Sequence, residues 1–167
     1  MATAEPNQPP RTSICVFAID RILIGLRLGE IDRVLAAMQL HQPAMMPPYF
    51  AGFLNLHGAL IPVVEIRKLL GLPAKALAAD DRIVLGRAWG ESIAFVVDAV
   101  LGVQDYEVLQ VIAPALQPAE LNSSVEGFVL HGRDLIMIHE LEKFLTAEVA
   151  AHVKSLKAAD VQEKEAT

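Results

Sequence analysis

One block of this sequence occurs twice. Leu56-His57-Gly58 is followed, after Ala59, by Leu60-Ile61-Pro62-Val63-Val64-Glu65-Ile66-Arg67-Lys68-Leu69-Leu70. Leu130-His131-Gly132 is followed, after Arg133-Asp134, by Leu135-Ile136-Met137-Ile138-His139-Glu140-Leu141-Glu142-Lys143-Phe144-Leu145. Each copy runs from a turn through an apolar strand into a helical turn. A weaker echo precedes each, Ile31-Asp32-Arg33-Val34-Leu35 and Val97-Asp98-Ala99-Val100-Leu101. The repeat predicts a duplicated β-module, two small barrels packed on each other, with the groove between them a place for a binding site.

The rest of the chain agrees with a mainly β fold. Strand-length apolar runs flank tight turns at four places: 13–19 and 21–28 around Asp20, 53–56 and 60–65 around His57-Gly58, 83–86 and 92–97 around Trp89-Gly90-Glu91, and 125–130 and 134–139 around His131-Gly132-Arg133. β-branched residues at this spacing, punctuated by glycine, indicate small barrels or sandwiches. Pro62 has no N–H to donate, so its strand is expected at a sheet edge or at a bulge. Helix is expected as one turn over 66–70, closing at Gly71 before Pro73. A longer helix is expected over 140–156, where Leu141, Phe144, Leu145, Val149, Val153 and Leu156 fall at helical spacing and form a face packed on the barrels. Residues 1–12 read as a disordered lead-in, 13–157 as one domain of two subdomains, and 158–167 as a frayed polar tail.

The chain of 167 residues is long enough to bury a core without disulfide or metal. Its single cysteine, Cys15, lies in the run Ile14-Cys15-Val16-Phe17 and reads as a buried thiol. Although 53% of residues are hydrophobic, charges interrupt every run well short of the ~18 apolar residues of a membrane helix. Met1–Pro10 has neither the basic nor the apolar region of a secretory signal, and the expected location is the cytoplasm. A net charge of −6 with 5% aromatic residues disfavours nucleic acid, which needs clustered cations interleaved with stacking rings.

At the level of motifs, Gly52-Phe53-Leu54-Asn55-Leu56-His57-Gly58-Ala59-Leu60-Ile61-Pro62-Val63-Val64-Glu65-Ile66-Arg67-Lys68-Leu69-Leu70-Gly71-Leu72 resembles the central signature of CheW-like domains. That signature runs Gly, apolar residues, Asn-Leu-Arg-Gly, two variable residues, Pro-Val, an acidic residue, Leu-Arg and Leu-Gly. Val96-Val97-Asp98-Ala99-Val100 resembles the family's Val-Asp-x-Val strand, while Ile112-Ala113-Pro114 and Gly127-Phe128 fall where it has its later elements. The resemblance spans about Ser13 to Leu145. It implies two five-stranded SH3-like barrels around a shared core, and a non-catalytic adaptor between chemoreceptor cytoplasmic tips and the regulatory domain of a CheA-type histidine kinase. It also implies recruitment to membrane-associated receptor arrays, and partner contact through Ile31, Arg33, Val34, Asn55, Leu56, His57, Gly58, Ile61, Pro62, Val63, Asp98 and Val100.

Three positions depart from the family pattern. His57 replaces the arginine of Asn-Leu-Arg-Gly, Arg33 replaces a glutamate, and Gly102 stands where a second glutamate is common. Imidazole does not reproduce the bidentate grip of a guanidinium, and a reversed charge opposes an unchanged partner. The expectation is that Arg33 and His57 lie close together and face an altered partner, which admits a diverged role in type IV pilus or other signalling.

Catalytic and metal motifs are missing from the sequence. The histidines His41, His57, His131, His139 and His152 have no metal-ligand spacing, no cofactor motif is present, and His57 and His131 read as turn residues. Ser123-Ser124 has no base tied to it, and Asp98 reads as a structural, hydrogen-bonded carboxylate. A small β-barrel enzyme is therefore the weaker alternative. Among Val34, Leu35, Leu54, Leu56, Ile61 and Val63, half are expected in the core and half at an interface. Met45–Phe50 is either an adaptable patch or a packed crossing.

Overall fold

The computed structural model describes residues 11–107, 109–110 and 125–165. The strands are β1 (Arg11–Ile19), β2 (Ile22–Arg27), β3 (Ile31–Ala36), β4 (Phe50–Leu56), β5 (Ala59–Val64), β6 (Arg82–Ala88), β7 (Glu91–Val97), β8 (Ala99–Glu107), β9 (Leu109–Gln110), β10 (Val125–His131) and β11 (Asp134–His139). The helices are α1 (Ile66–Leu69), α2 (Leu141–Phe144) and α3 (Ala147–Glu165), and a 3-10 turn, Leu28–Glu30, joins β2 to β3. All four expected hairpins form, each on a two-residue turn.

One sheet has the order β8-β1-β2-β11-β10-β9 and the other β3-β6-β7-β5-β4. In the first, β8 and β9 are separated by one position in the chain yet lie at opposite ends of the order, so the sheet curls into a five-stranded barrel. In the second, His41 exchanges two backbone hydrogen bonds of 2.8 Å with Phe53, which ties the segment after β3 to β4 and closes that barrel too. The hairpin β1–β2 belongs to the barrel whose other strands come from the second half of the chain. Hairpin β6–β7 belongs to the barrel completed by β3, β4 and β5. Each barrel is thus built from both halves.

The pairing registers make the duplication exact in a way the sequence echo does not. Phe17 opposite Val100 and Val16 opposite Gly102 match Gly86 opposite Ile31 and Leu85 opposite Arg33, with a bulge at Leu101 in one case and Asp32 in the other. Ile31 therefore corresponds to Val100 and Arg33 to Gly102, three residues away from the alignment suggested by Val97-Asp98. In the hairpins, Leu56 opposite Ala59 matches His131 opposite Asp134. His57 is the first turn residue, with φ +53°, whereas His131 is the last residue of β10 and not a turn residue.

Strand burial explains the unbroken apolar runs. In β1, Ile14 and Val16 point into the first barrel, while Cys15, Phe17 and Ile19 point into a core shared between the barrels. In β6, Ile83 and Leu85 fill the second barrel and Val84 faces the shared core. A strand buried on both faces carries no polar alternation. Phe17 and Phe95 meet edge to face across the shared core, their centroids 6.0 Å apart.

Four expectations differ from the structure. Pro62 is not on an edge strand: β5 lies between β4 and β7. Its parallel pairing with β7 begins only at Val63, so at Pro62 the strand is paired on one side, and the bulge falls on β4 at Ala51. The single helix expected over 140–156 is two, because the chain is extended at Leu145 (φ −82°, ψ 107°) before α3 begins. Helical backbone then continues to Glu165 through the stretch expected to fray. At the other end β1 starts at Arg11, inside the expected lead-in; residues 1–10, the Ile112-Ala113-Pro114 element and Ser123-Ser124 lie outside the described residues. The turn over 66–70 does close at Gly71, whose φ of +69° suits glycine and whose N–H reaches Lys68 O at 3.2 Å.

Close packing at the crossover between barrels gives a direct test. A Cβ on Gly86 would lie 2.8 Å from the Glu30 carbonyl oxygen and 2.9 Å from Leu141 Cδ2, whereas one on Gly29 would meet nothing within 4 Å. Gly86→Ala is expected to lower unfolding free energy by about 1–3 kcal/mol, and Gly29→Ala to change it by less than about 0.5 kcal/mol. Urea denaturation of the two variants measures both.

Candidate partner-binding surfaces

The residues expected to touch partners separate into three groups. Ile61 and Val63 are buried inside the second barrel, and Pro62 between them is buried as well. None of the three offers a side chain to a partner, because β5 runs between two neighbouring strands with its apolar residues in the core. Arg33, Val34, Asn55, His57 and Gly58 are exposed, while Ile31, Leu56, Asp98 and Val100 are half-buried. Of the six apolar candidates, Leu54, Ile61 and Val63 are core, Leu35 and Leu56 pack on that core from its margin, and Val34 is exposed. Met45 is exposed, while Met46 and Tyr49 pack on the shared core, so that segment is both a surface and a crossing.

Asn55 has a positioning role, since its Oδ1 accepts the Gly58 N–H at 3.0 Å and fixes the β4–β5 turn that presents His57. Arg33 and His57 are not joined by any hydrogen bond, ion pair or ring contact among the described residues. The barrel closes at His41 and Phe53; extended antiparallel from that bridge, His57 comes level with the segment just after β3, not with Arg33. The structure instead brings together Val34, Asp98 and Val100, which border one groove of about 190 Å³ with Asp80, Arg82 and Ala99.

Asp98 is a clamp. Its carboxylate accepts the Asp20 amide of the β1–β2 turn at 2.6 Å and the Arg67 guanidinium of α1 at 2.7 Å, with Lys75 3.4 Å away. Burial raises the pKa of this carboxyl, but the Arg67 and Asp20 hydrogen bonds and the charges of Arg67 and Lys75 outweigh it and hold it below the ordinary aspartate value. Lys75 also reaches Asp81 at 2.7 Å, and Asp81 accepts the Ala78 amide. The matching turn of the other hairpin is caught the same way, by Glu142 Oε1 on the Trp89 amide at 2.6 Å. These carboxylates hold the two hairpin turns in place.

A second surface escaped the sequence reading. Leu101 and Val103 on β8 are 53% and 48% exposed, and Leu130 and Leu135, directly opposite each other beside the β10–β11 turn, are 60% and 55% exposed. Strand parity carries the signal. Val129 and Ile136 are buried inside the first barrel, so their neighbours Leu130 and Leu135 have to face outward. The corresponding pair in the second barrel is Asn55 and Leu60. Aligning the two His-Gly pairs conceals this correspondence. Tyr106 Oη lies 2.9 Å from His131 Nδ1, joining β8 to β10 beside this surface.

Among the described residues no group of three or more His, Cys, Asp or Glu side chains is placed to hold a metal ion, and no helix is long and apolar enough to cross a membrane.

Comparison with known proteins fits this architecture. The sequence profile of the CheW-like domain matches residues 13–149. A probable chemotaxis protein CheW of Rhizobium etli is 27% identical over 138 residues, covering 74% of this chain and 86% of that protein. The chemotaxis protein CheW of Bacillus subtilis is 26% identical over 125 residues, covering 71% and 79%. The crystal structure of the scaffolding protein TtCheW from Thermoanaerobacter tengcongensis superposes with a TM-score of 0.71 at 23% identity, covering 85% of this chain and 96% of that one.

Removing the clamp should be costly. Asp98→Ala strands the Asp20 N–H and the mostly buried Arg67, and is expected to lower unfolding free energy at pH 7 by about 1–3 kcal/mol. Because the native pKa of Asp98 is depressed, its contribution is complete above the unfolded aspartate pKa and lost as pH falls through the native value. The gap between wild type and Asp98→Ala in urea midpoint should therefore shrink on acidification.

Proposed function

Because the chain belongs to the CheW-like domain family, we propose that it is a non-catalytic scaffold that couples chemoreceptors to a CheA-type histidine kinase in the cytoplasm. The observation that carries this reading is the presence of two outward-facing surfaces on different barrels. On the second barrel Arg33, Val34 and the His57 turn are exposed; on the first, Leu101, Val103, Leu130 and Leu135 are exposed. Exposed apolar side chains grouped on a soluble barrel suit protein contact, and a stable interface buries about 1,200–2,000 Å² in total. Two such faces on a rigid pair of barrels allow two proteins to be held at a fixed spacing. A scaffold requires that geometry and no reacting group.

Partner choice on the second-barrel face is assigned to Arg33 and His57. Arg33 is exposed and makes no ion pair among the described residues, so its charge is available to a carboxylate on a partner. His57 is held at the tip of a turn by Asn55. No hydrogen bond, ion pair or ring contact joins the two among the described residues, and each is assigned a contact of its own.

Binding of the purified chain to a CheA-type kinase regulatory domain and to a receptor cytoplasmic fragment, measured by titration calorimetry, tests the proposal. Arg33→Glu reverses a charge at the interface and should change affinity for at least one of them by about tenfold or more. His57→Arg should shift affinity separately and additively with it. Binding of both fragments that is indifferent to both substitutions would remove these residues from the interface.

A further inference from the structure

We propose that the open end of the second barrel is a binding site for a small organic cation, an alkylammonium or alkylguanidinium group whose apolar stem enters the barrel end and whose charge meets Glu65.

The duplication shows what is particular about this place. In the first barrel Arg27 of β2 stands opposite Ile14, a residue of the barrel interior, and reaches Glu126 at the β10 bulge at 2.7 Å. Paired residues share a face of the sheet, so Arg27 lies on the inner side. The sheet order is β2-β11-β10, and the ion pair therefore spans β11 across the end of the barrel. The hairpin registers carry Arg27 onto Val96, opposite Ile83, and Glu126 onto Ala51, at the β4 bulge. The second barrel thus has a valine and an alanine where the first has a salt bridge. A cavity of about 290 Å³ opens there, walled on its apolar side by Val96, Ala51, Phe50, Leu40 and Leu77.

The charged groups around this cavity are not equally satisfied. Arg67 bonds both oxygens of Asp98 at 2.7 Å, and Lys75 lies 2.7 Å from Asp81 and 3.4 Å from Asp98. Glu65 is half-buried, and among the described residues its carboxylate makes no hydrogen bond or ion pair. In the other half the corresponding Glu140 is neutralised by Lys143 at 2.8 Å. Lys68 corresponds to Lys143, yet its Nζ lies over the Tyr49 ring, 5.5 Å from the centroid. Two cations and three carboxylates line the cavity, an excess of one negative charge.

These features select the ligand. The apolar walls favour a hydrocarbon body of a few carbons. A half-buried carboxylate without a partner favours a donor that carries positive charge, because charge-assisted hydrogen bonds are the strong ones. An anion is disfavoured, since both cations already hold carboxylates. The volume lies at the low end for ligand pockets and suits one side-chain-sized group. Two sources share this chemistry, a free amine and the lysine or arginine side chain of a bound protein. None of the five apolar wall residues belongs to the surfaces assigned to partners above, so the site does not depend on the scaffold role.

NMR titration of the full isotope-labelled chain with n-hexylamine, and with n-hexanol as its neutral match, tests the site. Hexylamine should shift the Ala51, Glu65 and Val96 amides with a Kd on the order of 1 mM, and hexanol should bind about tenfold or more weakly. Glu65→Gln should lower hexylamine affinity by about tenfold, to the level of the alcohol. The double variant Ala51→Glu with Val96→Arg installs the ion pair of the other barrel and should abolish binding. Equal binding of amine and alcohol, no saturable shift at these residues, or an affinity unchanged in Glu65→Gln would overturn the proposal. Should the double variant fail to fold, Glu65→Gln, which keeps the size of the side chain, decides the matter. Titration with Nα-acetyl-lysine amide separates the two sources: binding tighter than that of hexylamine assigns the site to a side chain of a bound protein, and weaker binding assigns it to free amines.

Discussion

Everything in this fold depends on two hairpins being exchanged between two halves. β1–β2 and β6–β7 are each buried on both faces, one face filling a barrel and the other the shared core, where Phe17 meets Phe95. Each large apolar side chain buried this way is worth about 1.5–3 kcal/mol. Because every barrel takes a hairpin from the opposite half, neither closes without the other. The two outer surfaces are thereby set at a fixed distance and angle, which a scaffold must provide and a flexible tandem of domains would not.

The halves share a backbone plan and differ where function is expected. Arg33 corresponds to Gly102, and Asn55 with Leu60 corresponds to Leu130 with Leu135, so one barrel presents a cation and a polar hairpin tip and the other an apolar pair. Val64 corresponds to His139, so one strand end carries an aliphatic side chain where the other carries an imidazole. The hairpin turns are clamped in both halves, by Asp98 and by Glu142, because a displaced turn would shift the surface beside it. Similarity keeps the frame rigid, and divergence at a few positions gives its two sides different chemistry.

The strands were legible from the sequence because turn residues and apolar runs are local signals. The duplication was legible too, since Leu60–Leu70 and Leu135–Leu145 keep their spacing. What the sequence concealed was parity and partnership. The face on which Leu130 lies depends on register, and the shared His-Gly pair shifts the apparent register by one residue. Ile61 and Val63 read as interface candidates, yet lie in the core because β5 is flanked on both sides. Asp98 stood out as a polar residue in an apolar run, but its partners Asp20, Arg67 and Lys75 are remote in sequence and only the fold assembles them.

The proposed scaffold role requires that one rigid chain hold two different proteins at once. Sedimentation velocity of the purified chain with a CheA-type kinase regulatory domain and a receptor cytoplasmic fragment, alone and together, measures this directly. A ternary boundary containing all three components is expected. Two binary complexes that displace one another, with no ternary species at saturating concentrations, would contradict it.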